Sequence, residues 1–556
     1  MTEVNSQNKV RTFNTQYFMI GSMALLMVSL TLSPYFMSVA QFMMVFFWLC
    51  DIVDTSFDVQ NKKTTSGVLK NVFAFIGFCL VRMYKNLIIR TKQFMSNKPA
   101  LIFTSAYFMH IAGMLWTSDF LNGLGDLRIK LPLLILPLII CTMTPLSKKQ
   151  FHFLLIVYIS AIFVNTLIST WVLFKTNVVD TRDISLFISH IRFSLNICLA
   201  VFILIYFVFK PGTLFNIPKT VLILLIAWFV IFLFMLKSLS GIVVFIVVAF
   251  ILTIVKIREI KQIRIKHVLF SVVFAIPLLI IAYVFSVVKN YITPEPLLAD
   301  TLSTHTEMGN PYQHDTMSLG IENGRYIGLY VSWDELEEAW NKVSETDFNG
   351  LDRRGNKIAY TLIRYLNSKD LRKDASGVGQ LSEKDITNVE NGVANIIYLN
   401  RLNIKSKIFD AVMGYQRLKL HDDPNSNTFT QRIEHWRASI HVIRQHPLFG
   451  VGTGDVDRAI RNAYDELNSN LESRWRMNPH NQYFTIAIGF GLIGLAWYII
   501  TLVLPVFILE KQNNYFLWIL IAIVGISMLF DDTLNTQAGI TFFTCFYFCF
   551  AYFNDY

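Results

Sequence analysis

Two groups of polar side chains in the last quarter of the chain combine residue types that transfer protons and bind anions. In the first group, the run Asn-Pro-His-Asn-Gln-Tyr-Phe at 478–484, His480 stands beside two amides. A neutral imidazole accepts a proton near neutral pH, so His480 is a candidate general base. Alternatively, His480 and Asn481 only cap the helix that follows, because an asparagine side chain accepts backbone N–H bonds.

The second group lies on a predicted amphipathic helix at 428–445, which carries Arg432 and Trp436. A guanidinium group stays charged and binds two phosphate oxygens in a fork, so Arg432 is a candidate anion ligand. Alternatively, Arg432 is one more basic residue on a wetted surface. The glycine-rich segment 450–455 follows a helix and lacks the spacing of a dinucleotide-binding loop, so we interpret it as a tight turn.

Composition restricts the surroundings in which these groups act. The 556 residues are 53% hydrophobic and only 16% charged, which excludes an ordinary soluble multidomain enzyme. The formal charge of +10 is unevenly distributed: residues 289–476 are net −3, and the basic excess lies in loops between apolar runs. This pattern is typical of membrane topology and argues against a nucleic-acid partner. No cysteine falls in 289–476, and no cysteine spacing indicates a metal site.

Twelve apolar runs approach the roughly 20 helical residues that cross a bilayer. They are 17–33, 35–53, 99–117, 130–146, 151–173, 190–209, 220–236, 240–256, 267–288, 481–509, 514–530 and 537–553. A further run at 71–89 contains Arg82 and Lys85, so we expect it to lie in the membrane plane as an interfacial amphipathic segment.

The distribution of basic residues predicts the orientation. With twelve spans and a cytoplasmic N-terminus, the inner loops hold 20 Lys and Arg against six elsewhere outside the long loop. We therefore expect both termini in the cytoplasm, nine spans in 1–288, a periplasmic domain at 289–478 and three spans in 479–556. The first apolar run has no small-residue cleavage site, so we expect no removable signal peptide.

The periplasmic domain is expected to be mostly helical with some strand. Residues 327–333 favour a strand with a helix after it, and further helices fit 357–366, 382–393 and 402–418, with Ser382 and Asp385 as a capping pair.

Four short motifs together resemble one family. They are Gln-Arg-Ile-Glu-His-Trp at 431–436, His-Pro-Leu-Phe-Gly-Val-Gly at 446–452, His-Asn-Gln-Tyr-Phe at 480–484 and Gly-Leu-Ile-Gly at 491–494. Their order and their setting beside a long external loop are similar to the O-antigen ligase and O-antigen polymerase superfamily of bacterial inner-membrane glycosyltransferases.

The resemblance implies an all-α polytopic membrane protein of the GT-C type. Such an enzyme moves glycan from undecaprenyl diphosphate to an acceptor hydroxyl at the periplasmic face, without a metal or other cofactor. His480 matches the essential loop histidine of the family and Arg432 its external arginine, which makes these two the expected catalytic residues. Asn481, Gln482 and Tyr483 are expected to contact the substrate.

One departure concerns an arginine that family members commonly carry at the start of the eighth span. Here the stretch at 237–241 reads Lys-Ser-Leu-Ser-Gly, so Lys237 is one candidate substitute, and Arg192, close to His190 on another helix, is a second. Lys237, Arg192 and His190 are therefore substrate-binding candidates. Alternatively, a cation at a helix end only extends its side chain to the membrane interface. Two adjacent carboxylates, Asp531 and Asp532, also look familiar from the family, as do Gln537 and Gly539, but no role is assigned to them.

Several functions remain open at this level. A ligase acting on lipid A core and a polymerase acting on another repeat unit would share these motifs, and the acceptor could also be a related surface glycan. If the hydroxyl attacks opposite the diphosphate, the anomeric configuration inverts. A transporter would carry charged residues near the bilayer midplane, where we find few, and a scaffold would not depend on His480. The segment 295–425 is larger than the chemistry requires.

Overall fold

The structure is a computed structural model that describes residues 15–51, 68–175, 181–210, 217–294, 296, 302–399, 405–425 and 427–553. The chain is mostly helical and forms two compact units. The first unit comprises Met1–Leu252, His435–Leu467 and Met477–Tyr556, and the second comprises Thr253–Glu434 and Asn468–Arg476.

Eleven α-helices precede the first strand in the described part of the chain. They are α1 (Thr15–Leu32), α2 (Pro34–Cys50), α3 (Val68–Met95), α4 (Lys98–Ala112), α5 (Phe120–Lys130), α6 (Pro132–Thr142), α7 (Lys148–Lys175), α8 (His190–Phe209), α9 (Lys219–Met235), α10 (Leu239–Glu259) and α11 (Ile263–Ile292). The later elements are β1 (Gln313–Asp315), β2 (Ile321–Glu322), β3 (Arg325–Tyr326), β4 (Gly328–Val331), α12 (Trp333–Val343), α13 (Ile358–Ser368), α14 (Ala375–Gly379), α15 (Glu383–Glu390), α16 (Lys405–His421), α17 (Thr428–Gln445), α18 (Val456–Glu466), α19 (Gln482–Ile508), α20 (Tyr515–Ser527) and α21 (Gln537–Tyr552).

Six of the described helices are long and apolar enough to cross a membrane: α1, α7, α8, α10, α11 and α19. Four shorter apolar helices accompany them, namely α2, α9, α20 and α21. Each of the twelve predicted apolar runs contains a helix, so the prediction of a mostly helical, multi-pass membrane protein is confirmed. The count of twelve spans and the orientation stay predictions.

Two helices form the centre of the first unit. The side chains of α8 are buried from Phe193 to Leu204, and those of α21 are buried from Gly539 to Ala551. A helix that is apolar all round is stable only where neighbours cover every face, which explains this position. The segment 71–89 lies within α3, whose Arg90 is buried and donates to Asp51 at 2.6 Å. The in-plane orientation of this segment stays a prediction.

The second unit contains a small module with its own apolar core. Strand β1 pairs antiparallel with β4, β2 pairs antiparallel with β3, and Leu336, Trp340 and Leu366 are among the fully buried residues beneath them. The predicted strand at 327–333 is β4, which is shorter because α12 already begins at Trp333. The predicted capping pair is confirmed, since Ser382 and Asp385 form a reciprocal capping box at the start of α15.

The helix predictions for the rest of the loop also agree with the structure. Helix α13 begins one residue after the predicted start at 357 and runs to Ser368, α15 is shorter than the predicted 382–393, and α17 has the predicted bounds 428–445. Helix α16 begins at Lys405, and the predicted start at 402 lies outside the described residues.

Candidate functional site

The starts of three helices meet at one point of the first unit. Each start is capped by a side-chain oxygen: Ser189 caps α8, Asn481 caps α19 and Thr536 caps α21. The first turn of a helix leaves N–H groups without an intrahelical partner and carries a partial positive charge. The helix starts therefore create an electropositive environment before any charged side chain is considered.

His480 directly precedes the cap of α19 and has a left-handed backbone with φ of +49°. A non-glycine residue rarely adopts this conformation unless its surroundings hold it there. Its N–H donates to Asp532 Oδ2 at 3.1 Å, and Thr485 Oγ1 donates to Asp532 Oδ1 at 2.5 Å. Asp532 thus connects the His480 backbone to the first turn of α19 and holds the histidine in place.

Burial raises the pKa of Asp532, and the neighbouring carboxylate of Asp531 adds to this effect. The hydrogen bonds that Asp532 accepts from Thr485 and from the His480 N–H act in the opposite direction, since they stabilise the charged form.

The imidazole of His480 faces a second carboxylate. Its Nδ1 lies 3.9 Å from Asp531 Oδ1, and the side chain is 34% exposed, so the ring is open to solvent on another side. The ring centroid is 5.5 Å from that of the buried His435 on α17. His480 is therefore positioned and accessible, with a carboxylate that can stabilise the ring when it gains a proton.

Arg192, on the first turn of α8, contacts the other oxygen of the same carboxylate. One terminal nitrogen of Arg192 lies 3.4 Å from Asp531 Oδ2. Its Nε donates to Thr536 Oγ1 at 2.8 Å and its second terminal nitrogen to Ser189 Oγ at 2.8 Å. The guanidinium group thus joins the starts of α8 and α21, and Asp531 lies between Arg192 and His480.

The three residues after His480 are held by the protein itself. Asn481 Oδ1 accepts the N–H groups of Tyr483 and Phe484 at 3.0 and 3.2 Å, which is the capping role considered above as an alternative. Gln482 is fully buried; its Oε1 accepts the Leu534 N–H at 2.9 Å, and its Nε2 donates to Asn535 at 3.0 Å.

The Tyr483 hydroxyl donates to the Gly525 carbonyl at 2.8 Å. In the structure Asn481, Gln482 and Tyr483 all stabilise the protein around the histidine. A direct contact between any of them and a substrate stays a prediction.

Two further predicted site residues, His190 and Lys237, lie on or beside α8. His190 begins α8, two residues before Arg192. Lys237 lies in the turn between α9 and α10 with φ of +50°, and the next residue, Ser238, has its Oγ 3.2 Å from Ser194 Oγ on α8. The Lys237 turn therefore packs against the helix that carries Arg192.

Arg432 lies on α17 in the part of that helix assigned to the second unit, and its side chain is half-buried. Its role stays a prediction from the motif.

Sequence reasoning assigned no role to Asp531, Asp532 or Thr536, and it did not single out His435. The signal for the carboxylates was their adjacency in an otherwise apolar C-terminal region. The signal for His435 was its place three residues after Arg432 on an amphipathic helix. Thr536 gave no signal beyond its place before an apolar run, where threonine is a common cap.

The glycine-rich segment packs its backbone against α19. Gly450 and Gly452 have φ of +66° and +97°, and the N–H groups of Val451 and Gly452 donate to the carbonyls of Ile488 and Gly489, each at 2.9 Å. Gly491 interrupts α19 with φ of +67°. The interpretation of this segment as a tight turn is confirmed, because its N–H groups bind the protein backbone.

The comparison with protein-family models matches residues 392–499 to the family described as O-antigen ligase. The match covers all four motifs from which the resemblance was drawn, including Arg432 and His480, and it confirms that resemblance. Arg192, Lys237, Asp531 and Asp532 lie outside the matched segment. No curated protein matches the chain.

Substitution of Gly491 by alanine is expected to destabilise the first unit. A Cβ at Gly491 would lie 2.1 Å from the carbonyl oxygen of Leu448, and the positive φ adds strain. We expect a cost of about 1 to 3 kcal/mol, the usual range for overpacking, seen as a lower Tm in detergent. Gly21→Ala is the control, because its Cβ would meet open space. Equal Tm values for the two variants would contradict the packing described here.

Proposed function

We propose that this chain, whose residues 392–499 match the family model described as O-antigen ligase, is a membrane glycosyltransferase that moves glycan from undecaprenyl diphosphate to an acceptor hydroxyl. One observation carries the proposal: His480 of the family motif lies beside Asp531, which also contacts Arg192, at the meeting point of three helix starts. A proton acceptor and a positively charged environment are therefore adjacent, as transfer from a lipid diphosphate requires.

The helix starts and Arg192 can stabilise the diphosphate that leaves during transfer. Departure of a diphosphate develops negative charge, which helix N-termini and a guanidinium group stabilise. Asp531 offsets the charge of Arg192 while the site is empty. A bound diphosphate would compete with Asp531 for the guanidinium group, because phosphate oxygens bind it by the same paired hydrogen bonds.

His480 supplies the complementary step. Because Nδ1 faces Asp531, Nε2 is the nitrogen that would meet the acceptor hydroxyl. The hydroxyl oxygen attacks the anomeric carbon, its proton passes to Nε2, and the bond from that carbon to the diphosphate breaks. Asp531 would stabilise the resulting imidazolium. Attack opposite the diphosphate inverts the anomeric configuration.

The family motif assigns Arg432 to the diphosphate as well, and Lys237 is a further cation beside α8. Whether the acceptor is lipid A core or another glycan repeat depends on residues outside these motifs. We name the ligase first because the family model carries that description. In a deletion strain, loss of all attached glycan chains would identify a ligase, whereas single-repeat chains would identify a polymerase.

His480→Ala is expected to reduce turnover by roughly 10² to 10⁴, the usual contribution of a general base, with little change in donor binding. Transfer is measured with purified protein and a lipid diphosphate donor. His441→Ala is the matched control, since His441 is a partly exposed histidine bonded to Glu466 at 2.8 Å and lies on α17. Normal transfer by a well-folded His480→Ala protein would contradict the role of His480 as general base and favour its role at the start of α19.

Arg192→Lys and Arg432→Lys are expected to retain only part of the activity, because an ammonium group cannot reproduce the paired hydrogen bonds of guanidinium. The defect should appear as weaker donor binding. Arg192→Ala also leaves Asp531 without its cation, so the double variant Arg192→Ala/Asp531→Asn separates loss of the pair from loss of positive charge. Donor binding as tight as that of wild type in Arg192→Lys would remove Arg192 from the proposed diphosphate site.

We expect transfer to continue in EDTA. Side-chain cations and helix starts supply the positive charge in this proposal, and no three His, Cys, Asp or Glu side chains in the described ranges form a metal-binding group. The measurement is the transfer rate of purified enzyme before and after chelation. Loss of activity that magnesium or manganese restores would show that a metal takes part.

The proposed membrane topology places both termini in the cytoplasm of a bacterium and residues 289–478 in the periplasm. Alkaline phosphatase fused near Gly350 should then be active, and the same enzyme fused near Arg264 inactive, because it folds only outside the cytoplasm. The opposite pattern would move His480 to the cytoplasmic side and exclude the periplasmic donor.

A further inference from the structure

Seven large apolar side chains of the first unit are exposed on two neighbouring segments. They are Leu115, Trp116, Phe120, Leu121, Leu124, Leu448 and Phe449, which we call the apolar shelf. Leu121 is 81% exposed and Phe449 is 63% exposed. Isolated exposed apolar residues are ordinary, but a contiguous set indicates that something other than water covers it.

Short polar contacts hold the two segments of the shelf together. Thr453 Oγ1 donates to the His110 carbonyl at 2.6 Å, and the Gly454 N–H donates to Thr117 Oγ1 at 2.8 Å. Asp455 accepts the N–H groups of Ser118 and Asp119 at 2.6 and 3.0 Å. The exposed apolar residues therefore lie around these contacts, which also include the exposed pair of Ser118 and Arg458.

Part of helix α5 has its polarity reversed relative to a helix on a water-soluble surface, although Asn122 and Arg128 are exposed and Leu127 and Ile129 pack against the core. Phe120, Leu121 and Leu124 point outward, whereas Lys130 is buried and forms an ion pair with Asp126. In water the charged side chains of a surface helix lie outside and the apolar ones inside. The reversal indicates an apolar medium around α5, and the exposed Arg128 at its end can reach toward lipid headgroups.

His110 completes the polar inner side of α5. Its Nδ1 lies 3.0 Å from Asp126 Oδ2, and its ring packs edge-on against Phe490 of α19 with centroids 4.7 Å apart. Beneath this apolar face Lys130 and Asp126 are paired with each other, as a hydrocarbon environment demands of charged groups.

The loop that carries Leu448 and Phe449 meets the same demand. Besides the bonds of Val451 and Gly452, the Pro447 carbonyl accepts the Leu492 N–H at 2.8 Å, across the kink of α19 at Gly491. Irregular backbone is tolerated at membrane depth only where its polar groups are bonded to protein. In this loop the Pro447 carbonyl and the N–H groups of Val451 and Gly452 are bonded to α19, while the side chains of Leu448 and Phe449 are exposed, as are those of residues 444–446 before them.

The loop that carries Leu448 and Phe449 packs on α19, and the surroundings of α19 indicate which medium contacts the shelf. Leu492 and Ile493, both 53% exposed, adjoin the loop on a mostly apolar helix of 27 residues, which is about 40 Å long and can cross a membrane. Side chains exposed on such a helix face lipid, and the shelf continues their surface. The kink at Gly491 lies about 15 Å along the helix from Asn481, on the same half of α19 as His480.

We propose that the apolar shelf is embedded in the hydrocarbon of one membrane leaflet, the leaflet on the His480 side, so that residues 447–452 dip into the membrane from a region, 289–478, that otherwise lies in the periplasm. The occupant of this surface is the acyl chain of bilayer phospholipid. The proposal does not depend on the transferase activity, because it follows from the reversed polarity of α5, the inward-bonded loop and the continuity with α19.

The test uses an environment-sensitive fluorophore on the full chain in phosphatidylcholine vesicles. Single cysteines replace Leu121 and Phe449, one on each segment of the shelf, in a background without the native cysteines. Met317→Cys is the matched control, since Met317 is an apolar residue 85% exposed in the small module. The vesicles contain either ordinary phosphatidylcholine or the same lipid with bromine at carbons 6 and 7 of an acyl chain.

Bromolipid should quench the labels at 121 and 449 at least two-fold more than the label at 317. Equal quenching at all three positions, or quenching at neither shelf position, would overturn the proposal. Efficient crosslinking between two copies through position 121, with the label shielded from bromolipid, would instead assign the surface to a second copy of the chain. Size-exclusion profiles matching wild type show that the labelled variants remain folded.

Discussion

The termination of helices that are buried on every side is the constraint on which the rest of the site depends. The first turns of α8 and α21 leave N–H groups that need acceptors from side chains or water. The caps Ser189 and Thr536 supply them, and Arg192 bonds to both caps. A cation and two helix starts are therefore brought together by requirements of folding, before any requirement of chemistry.

Asp531 and Asp532 are adjacent in sequence but make different contacts with His480. Asp532 binds the His480 backbone and keeps an unfavourable left-handed conformation in place. Asp531 contacts the imidazole on one side and Arg192 on the other. One carboxyl group thus positions the histidine, while the other can respond to its protonation.

The fold was largely predictable because its signals are local. Apolar length identified the membrane helices, and the spacing of Ser382 and Asp385 identified a helix start that the structure confirms. The site was predictable only in part. His480 stands in a short motif, but its carboxylate lies about fifty residues later and Arg192 almost three hundred residues earlier. Such contacts follow from the packing of α8, α19 and α21, which periodicity does not reveal.

The family match covers only some of the residues at the site. The matched segment 392–499 contains His480 and Arg432, yet the groups that contact His480 include Asp531 and Asp532, which lie beyond it. The family arginine expected near the start of α10 is absent, and Lys237 stands there instead. Arg192 reaches the histidine's carboxylate from α8, and the Lys237 turn packs two residues further along that helix through Ser238 and Ser194. Arg192 and the Lys237 turn therefore both belong to the region where α8 meets the start of α10, through Ser194 with Ser238 and Gly241.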